Sequence, residues 1–177
     1  MKENSIAPQQ TLARRLTIGF VAGVLALVVN TALLQAASMA GIETGRGGLL
    51  RLTEMLLERL VHFVSSAKTE SHVSVLPVSA DWFLTFFRIA TGLFMAELYA
   101  CVLEPNLPKG IWKQGLIFGT AVWLFNSFVV LPSTGGGIAG SRHLGLQGIL
   151  CFAVAHMAFF ISLALIFHYL ASRKSSE

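Results

Sequence analysis

The sequence predicts an all-α integral membrane protein, a four-transmembrane-helix bundle with an amphipathic interfacial helix in its first outer loop. Three observations lead there. Hydrophobic residues make up 54% of the 177-residue chain and charged residues only 12%, about half the share that covers a soluble surface. Mean hydropathy is +0.68. Four stretches are also long enough to supply the ~20 mostly apolar residues that cross the hydrocarbon core. This composition excludes a soluble enzyme. It excludes disorder as well, which needs low hydrophobicity and high charge.

The first span is expected from about Leu16 to Ala40. Gly19, Gly23, Ala26 and Asn30 share one helical face, and small residues four apart let membrane helices approach closely. A competing reading is a cleavable signal peptide, since Arg14-Arg15 precede the apolar run and Ser38-Met39-Ala40 follow it. The run exceeds the usual ~7–15-residue signal core, which favours a retained helix.

Residues 41–81 form a long loop with a helix expected at about 49–64. Arg51, Glu54, Glu58 and His62 recur at three- and four-residue steps and make one polar stripe on an otherwise apolar wheel. Such a segment reaches only ~24 Å at about 1.5 Å per residue, so it is expected to lie in the interface rather than cross. Beyond it, Ser71 to Pro77 alternates polar and apolar residues, as an extended segment does.

The second span (about 82–103) begins at Trp82, and the third (about 111–131) begins with Trp112 near its end, positions where amphipathic rings favour the headgroup level. Gly115 and Gly119 repeat the close-packing spacing. The fourth span is expected at about 146–170. All five prolines are expected outside the spans, as helix punctuation. Short connections should make spans two, three and four antiparallel neighbours. Lys2, Arg14, Arg15, Lys109, Lys113, Arg173 and Lys174 fall on one side, so the positive-inside rule predicts cytoplasmic termini. These anchors account for the net charge of +4, and no nucleic-acid partner is expected. Cys101 and Cys151 fall at different depths in the membrane, too far apart for a disulfide.

Ionisable residues inside a span are costly and point to function. Span two carries Arg88 and Glu97. At about 100° per residue they lie on opposite faces, ~13 Å apart along the axis, so each needs another partner. Depth arithmetic brings Arg88, Asn126, Asn30 and His156 into the outer half, with Thr91 on the Arg88 face. These five residues are the candidate cavity. Above them runs a glycine-rich loop, where Gly135, Gly136 and Gly137 with Arg142 and His143 form a candidate anion or headgroup nest. Glu97, in the inner half, is expected to pair with Lys113 or His168.

No H-E-x-x-H, C-x-x-C or G-x-S-x-G pattern occurs. A haem would need axial ligands on facing helices, yet His156 and His168 share one helix and spans one to three hold no histidine. A non-catalytic protein without cofactor or metal is therefore expected.

Gly92-Leu93-Phe94, then Lys113-Gln114-Gly115-Leu116-Ile117-Phe118-Gly119 and Ala121-Val122-Trp123-Leu124, lead into Leu131-Pro132, a glycine-rich loop and Ala155-His156. Over about residues 82–168 this resembles the YagU-like small bacterial inner-membrane proteins. The resemblance implies a four-helix protein of that membrane and no particular activity. Two functions follow as expectations. One is an accessory or scaffold subunit that docks a larger membrane complex or a second copy. The other is a solute- or lipid-binding protein that uses the cavity around Arg88. Membrane lipids are partners in either case.

Overall fold

The structure, a computed structural model, describes residues 12–44, 48–65, 81–107 and 110–173. Among them there are five long helices and no β-strand. They are α1 (Leu12–Met39), α2 (Gly48–Ser65), α3 (Asp81–Asn106), α4 (Ile111–Ser133) and α5 (Leu146–Arg173). All but α2 are long and apolar enough to cross a membrane. Four crossings leave the start of α1 and the end of α5 on one face of the bundle, the terminal face. The α1–α2 and α4–α5 connections lie at the other, the loop face. The alternating segment at 71–77 lies outside the described residues.

The spans stand in the order α3, α1, α5, α4. Helix α1 packs along α5 and α3, and α4 packs along α5. The sequence explains the α1–α3 contact. Ile18, Gly19, Ala22, Gly23 and Ala26 recur at helical spacing and are all buried. A Cβ on Gly23 would come within 2.6 Å of the Ala96 Cβ, and one on Gly19 within 2.8 Å of the Ala100 Cβ. In lipid, apolar surface gives no drive toward protein over tails. Such van der Waals fit is what holds helices together. On the other side of the row, Gly115 and Gly119 let α4 lie against Phe160 and Ile161 of α5.

Spans two and three are not side-by-side neighbours, contrary to the expectation from their short connection. They meet where Tyr99 stacks on Phe118, with ring centroids 6.2 Å apart, and where it bonds to Gln114. Toward the loop face, residues 85, 86 and 88–90 of α3 are exposed. A short loop sets direction and nearness at one end only. The small-residue face of α1 draws the rest of α3 away.

Two prolines also correct the expectation that all lie outside the spans. Pro105 and Pro132 sit within the last turns of α3 and α4. Each follows a wide turn, at Tyr99–Leu103 and Asn126–Val130. There the Glu104 N–H reaches the Tyr99 carbonyl and the Leu131 N–H reaches the Asn126 carbonyl. Proline has no N–H to give, and its ring collides with the carbonyl four residues back. Widening the preceding turn by one residue relieves both problems without ending the helix. Pro8, Pro77 and Pro108 fall outside the described residues.

Candidate functional site

At the terminal face one polar network joins all four spans. Arg15 pairs with Glu104 and donates through Nε to the Ala100 carbonyl at 2.9 Å. Arg14 donates to the Ala171 carbonyl at 3.1 Å. The two basic residues expected only as topology anchors thus also tie α1 to α3 and α5. The centre of the network is Gln114, 3% exposed. Its Oε1 accepts the Tyr99 hydroxyl at 2.8 Å and lies 2.8 Å from His168 Nε2. An amide oxygen only accepts, so His168 donates through Nε2. The Gln114 amide nitrogen donates a longer bond, 3.4 Å, to the Glu104 carbonyl. The pairing of Glu97 with Lys113 or His168 is therefore corrected: among the described residues no ion pair joins Glu97 to either, and His168 bonds to Gln114. Glu97 Oε2 lies beside Gly19, 3.2 Å from where a Cβ would stand, and is buried with no hydrogen-bond partner among the described residues. This network holds four helices in register; within it the Arg14 Nε is buried without a hydrogen-bond partner among the described residues.

The five residues of the expected cavity are spread over all four spans. Asn30 faces α5 and donates to the Ala155 carbonyl at 2.9 Å. His156 is packed between Phe152 and Phe160, with centroids 4.6 and 6.3 Å away. Asn126 is half-buried in the wide turn of α4, and Thr91 is half-buried on α3. Arg88 is exposed on the side of α3 that the bundle leaves uncovered. No hydrogen bond among the described residues joins any two of the five. Asn30 bonds one residue before His156, whereas Arg88 is exposed. The Asn30 bond defines a test. Asn30→Leu should cost about 0.6 kcal/mol, and no more than ~1.7, the range of interhelical hydrogen bonds in membranes, read by unfolding in mixed micelles.

The glycine-rich loop spends most of its N–H groups on itself. Those of Gly135, Gly136, Gly140, Ser141, Arg142, His143 and Leu144 bond to carbonyls between Val130 and Gly140. Arg142 folds back to donate to the Gly135 carbonyl at 3.3 Å. Gly137 is required at its place. Its φ is +74°, and a Cβ there would lie 2.9 Å from Ser141 Oγ. The result is a compact turn rather than an open nest.

Beside that turn the loop face holds a cavity of about 710 Å³, within the ~300–1,000 Å³ of small-molecule sites. The end of α1, the start of α2, the end of α4 and the glycine-rich turn line it, and it opens to the surface. Of the expected headgroup residues, Gly136 and His143 line it, while Gly135, Gly137 and Arg142 do not. Arg51, Glu43 and Thr134 also reach it. The first turn of α2 forms one wall because Leu50 is fully buried and Gly48 lets the Leu131 side chain approach, 2.8 Å from a Cβ position. Sequence reasoning grouped Arg51 with the polar stripe of its own helix. Nothing in the spacing of residues linked it to a loop ninety positions away.

Fold and polar network together define a multi-pass helical membrane protein whose spans are tied together by polar contacts at the terminal face. No family model, curated protein or solved structure matches the chain.

Proposed function

We propose that this protein is a non-catalytic accessory or scaffold subunit of the bacterial inner membrane that docks a larger membrane complex. In this reading both termini are cytoplasmic, as the basic flanks favour. The apolar side chains of α2 left exposed by the bundle, Leu56, Leu60 and Phe63, rest in the outer interface. One observation carries the docking role. Arg88 stands on the exposed side of α3, about 10 Å along the axis from Asp81 at 1.5 Å per residue, with no bond to any described residue. A guanidinium facing away from its own bundle at that depth is costly unless something compensates it. The occupant that answers this charge is a helix of another membrane protein presenting an Asp or Glu at the same depth.

The test is gentle extraction followed by native mass spectrometry of wild type, Arg88→Lys and Arg88→Leu. The expected result is a stoichiometric protein partner kept by the wild type and lost from Arg88→Leu. That partner's own intramembrane carboxylate, once neutralised, should cause the same loss. A partner-free wild type, or a complex indifferent to Arg88→Leu, would overturn the docking role. Equal behaviour of Arg88→Leu and wild type in lipid would also assign Arg88 to snorkelling toward headgroups.

A further inference from the structure

We infer that the loop-face cavity is a binding site for the zwitterionic headgroup of a phospholipid, a phosphate ester with a primary ammonium. The proposal does not depend on the docking role of Arg88, which lies outside this cavity. Three features of the cavity support it. The first is charge. Arg51 and His143 stand in the wall together with Glu43, and no hydrogen bond among the described residues occupies any of these three side chains. A cation and an imidazole suit a phosphate, for which a guanidinium offers charge-assisted, bidentate bonds. A carboxylate in the same wall would repel a purely anionic ligand but accepts hydrogen bonds from an ammonium group. The second feature is amphipathic lining, with Leu131 and Leu144 present beside Thr134. The third is level. The cavity lies at the ends of α1 and α4, where chain and tails leave the hydrocarbon and headgroups begin. A phospholipid held there places its glycerol against the leucines and its polar group against the charged wall.

The ligand chemistry is shared by a lipid and by free phosphoethanolamine, and the experiment separates them. Native mass spectrometry is run on the full chain in non-ionic detergent with added dioleoyl phosphatidylethanolamine or dioleoyl phosphatidylcholine. Wild type is compared with Arg51→Gln, Glu43→Gln and Arg59→Gln. All three changed residues are exposed, and an unchanged melting temperature verifies each fold. Arg51→Gln should lower occupancy by both lipids about tenfold, the value of one charge-assisted bond. Glu43→Gln should weaken a preference for ethanolamine over choline, since it replaces a charged acceptor of the ammonium N–H with a neutral one and a quaternary ammonium has no N–H to donate. Arg59→Gln, on the same helix but outside the cavity, should change neither. Equal losses in Arg51→Gln and Arg59→Gln would reduce the effect to unspecific charge and overturn the site. Wild-type occupancy in Arg51→Gln would overturn it too. Displacement of the lipid by equimolar phosphoethanolamine would overturn the lipid as ligand.

Discussion

Replacing Gly115 by leucine is expected to detach α4 from α5, at a cost of about 3 kcal/mol or more. Overpacking a well-filled contact commonly costs ~1–3 kcal/mol, and here the obstruction is main chain. A Cβ at Gly115 would lie 2.9 Å from both the Ile161 Cα and the Phe160 carbonyl oxygen. No rotamer change clears a backbone atom, so the two helices must separate. Gly119 offers the comparison. A Cβ there would meet the Met157 sulfur at 3.1 Å and Phe160 side-chain atoms at 3.2 and 3.3 Å, and a thioether can swing aside. Unfolding in mixed micelles should therefore rank Gly115→Leu well below Gly119→Leu, with Gly119→Ala near wild type. Equal stability of Gly115→Leu and wild type would mean that α4 does not rest on α5 at this point.

The second large effect is expected at Gln114. Gln114→Leu removes one acceptor and strands two donors, the Tyr99 hydroxyl and His168 Nε2. Leaving a buried donor without a partner costs about 1–3 kcal/mol, whereas a typical interhelical bond in a membrane is worth only ~0.6 kcal/mol. Burial decides between these figures. Tyr99 is fully enclosed, so its hydroxyl has neither water nor a headgroup to turn to, and a loss of about 2–4 kcal/mol is expected. Tyr99→Phe removes a donor and leaves Gln114 still bonded to His168, so it should cost about 1 kcal/mol or less. The double variant should cost less than the sum, because both changes break the same bond. A Gln114→Leu protein no less stable than Tyr99→Phe would show that the network does not hold the spans.

The helices were legible because their signal is local. A run of apolar residues, its length and its tryptophan flank are all read from neighbouring positions. Gly19 and Gly23 were legible for the same reason, since helical spacing alone puts them on one face. The order of helices across the bundle was not. Whether α3 lies on α4 or on α1 depends on which small-residue faces fit, here Gly23 on Ala96. A charge inside a span stands out in sequence, as Arg88 does, whereas Gln114 and Tyr99 do not, because their importance comes from enclosure. Glycine-rich sequence likewise suggests an open nest, while the folded turn uses those N–H groups internally. In sequence Pro105 and Pro132 look like stops, and the wide turns that carry the helix past them have no sequence signature of their own.

The order of the spans has a consequence for biosynthesis. The chain leaves the ribosome from its N-terminus, so α1 and α3 can assemble as soon as both are inserted. Helix α4 has no such companion waiting. Its principal neighbour is α5, which is made after it. Until Leu146 and the residues after it arrive, the Gly115–Gly119 face of α4 is turned to lipid or to the insertion machinery. A nascent chain arrested in the α4–α5 connection therefore holds one finished helix pair and one orphan helix, and it is the twenty-eight residues of α5 that convert them into a single bundle.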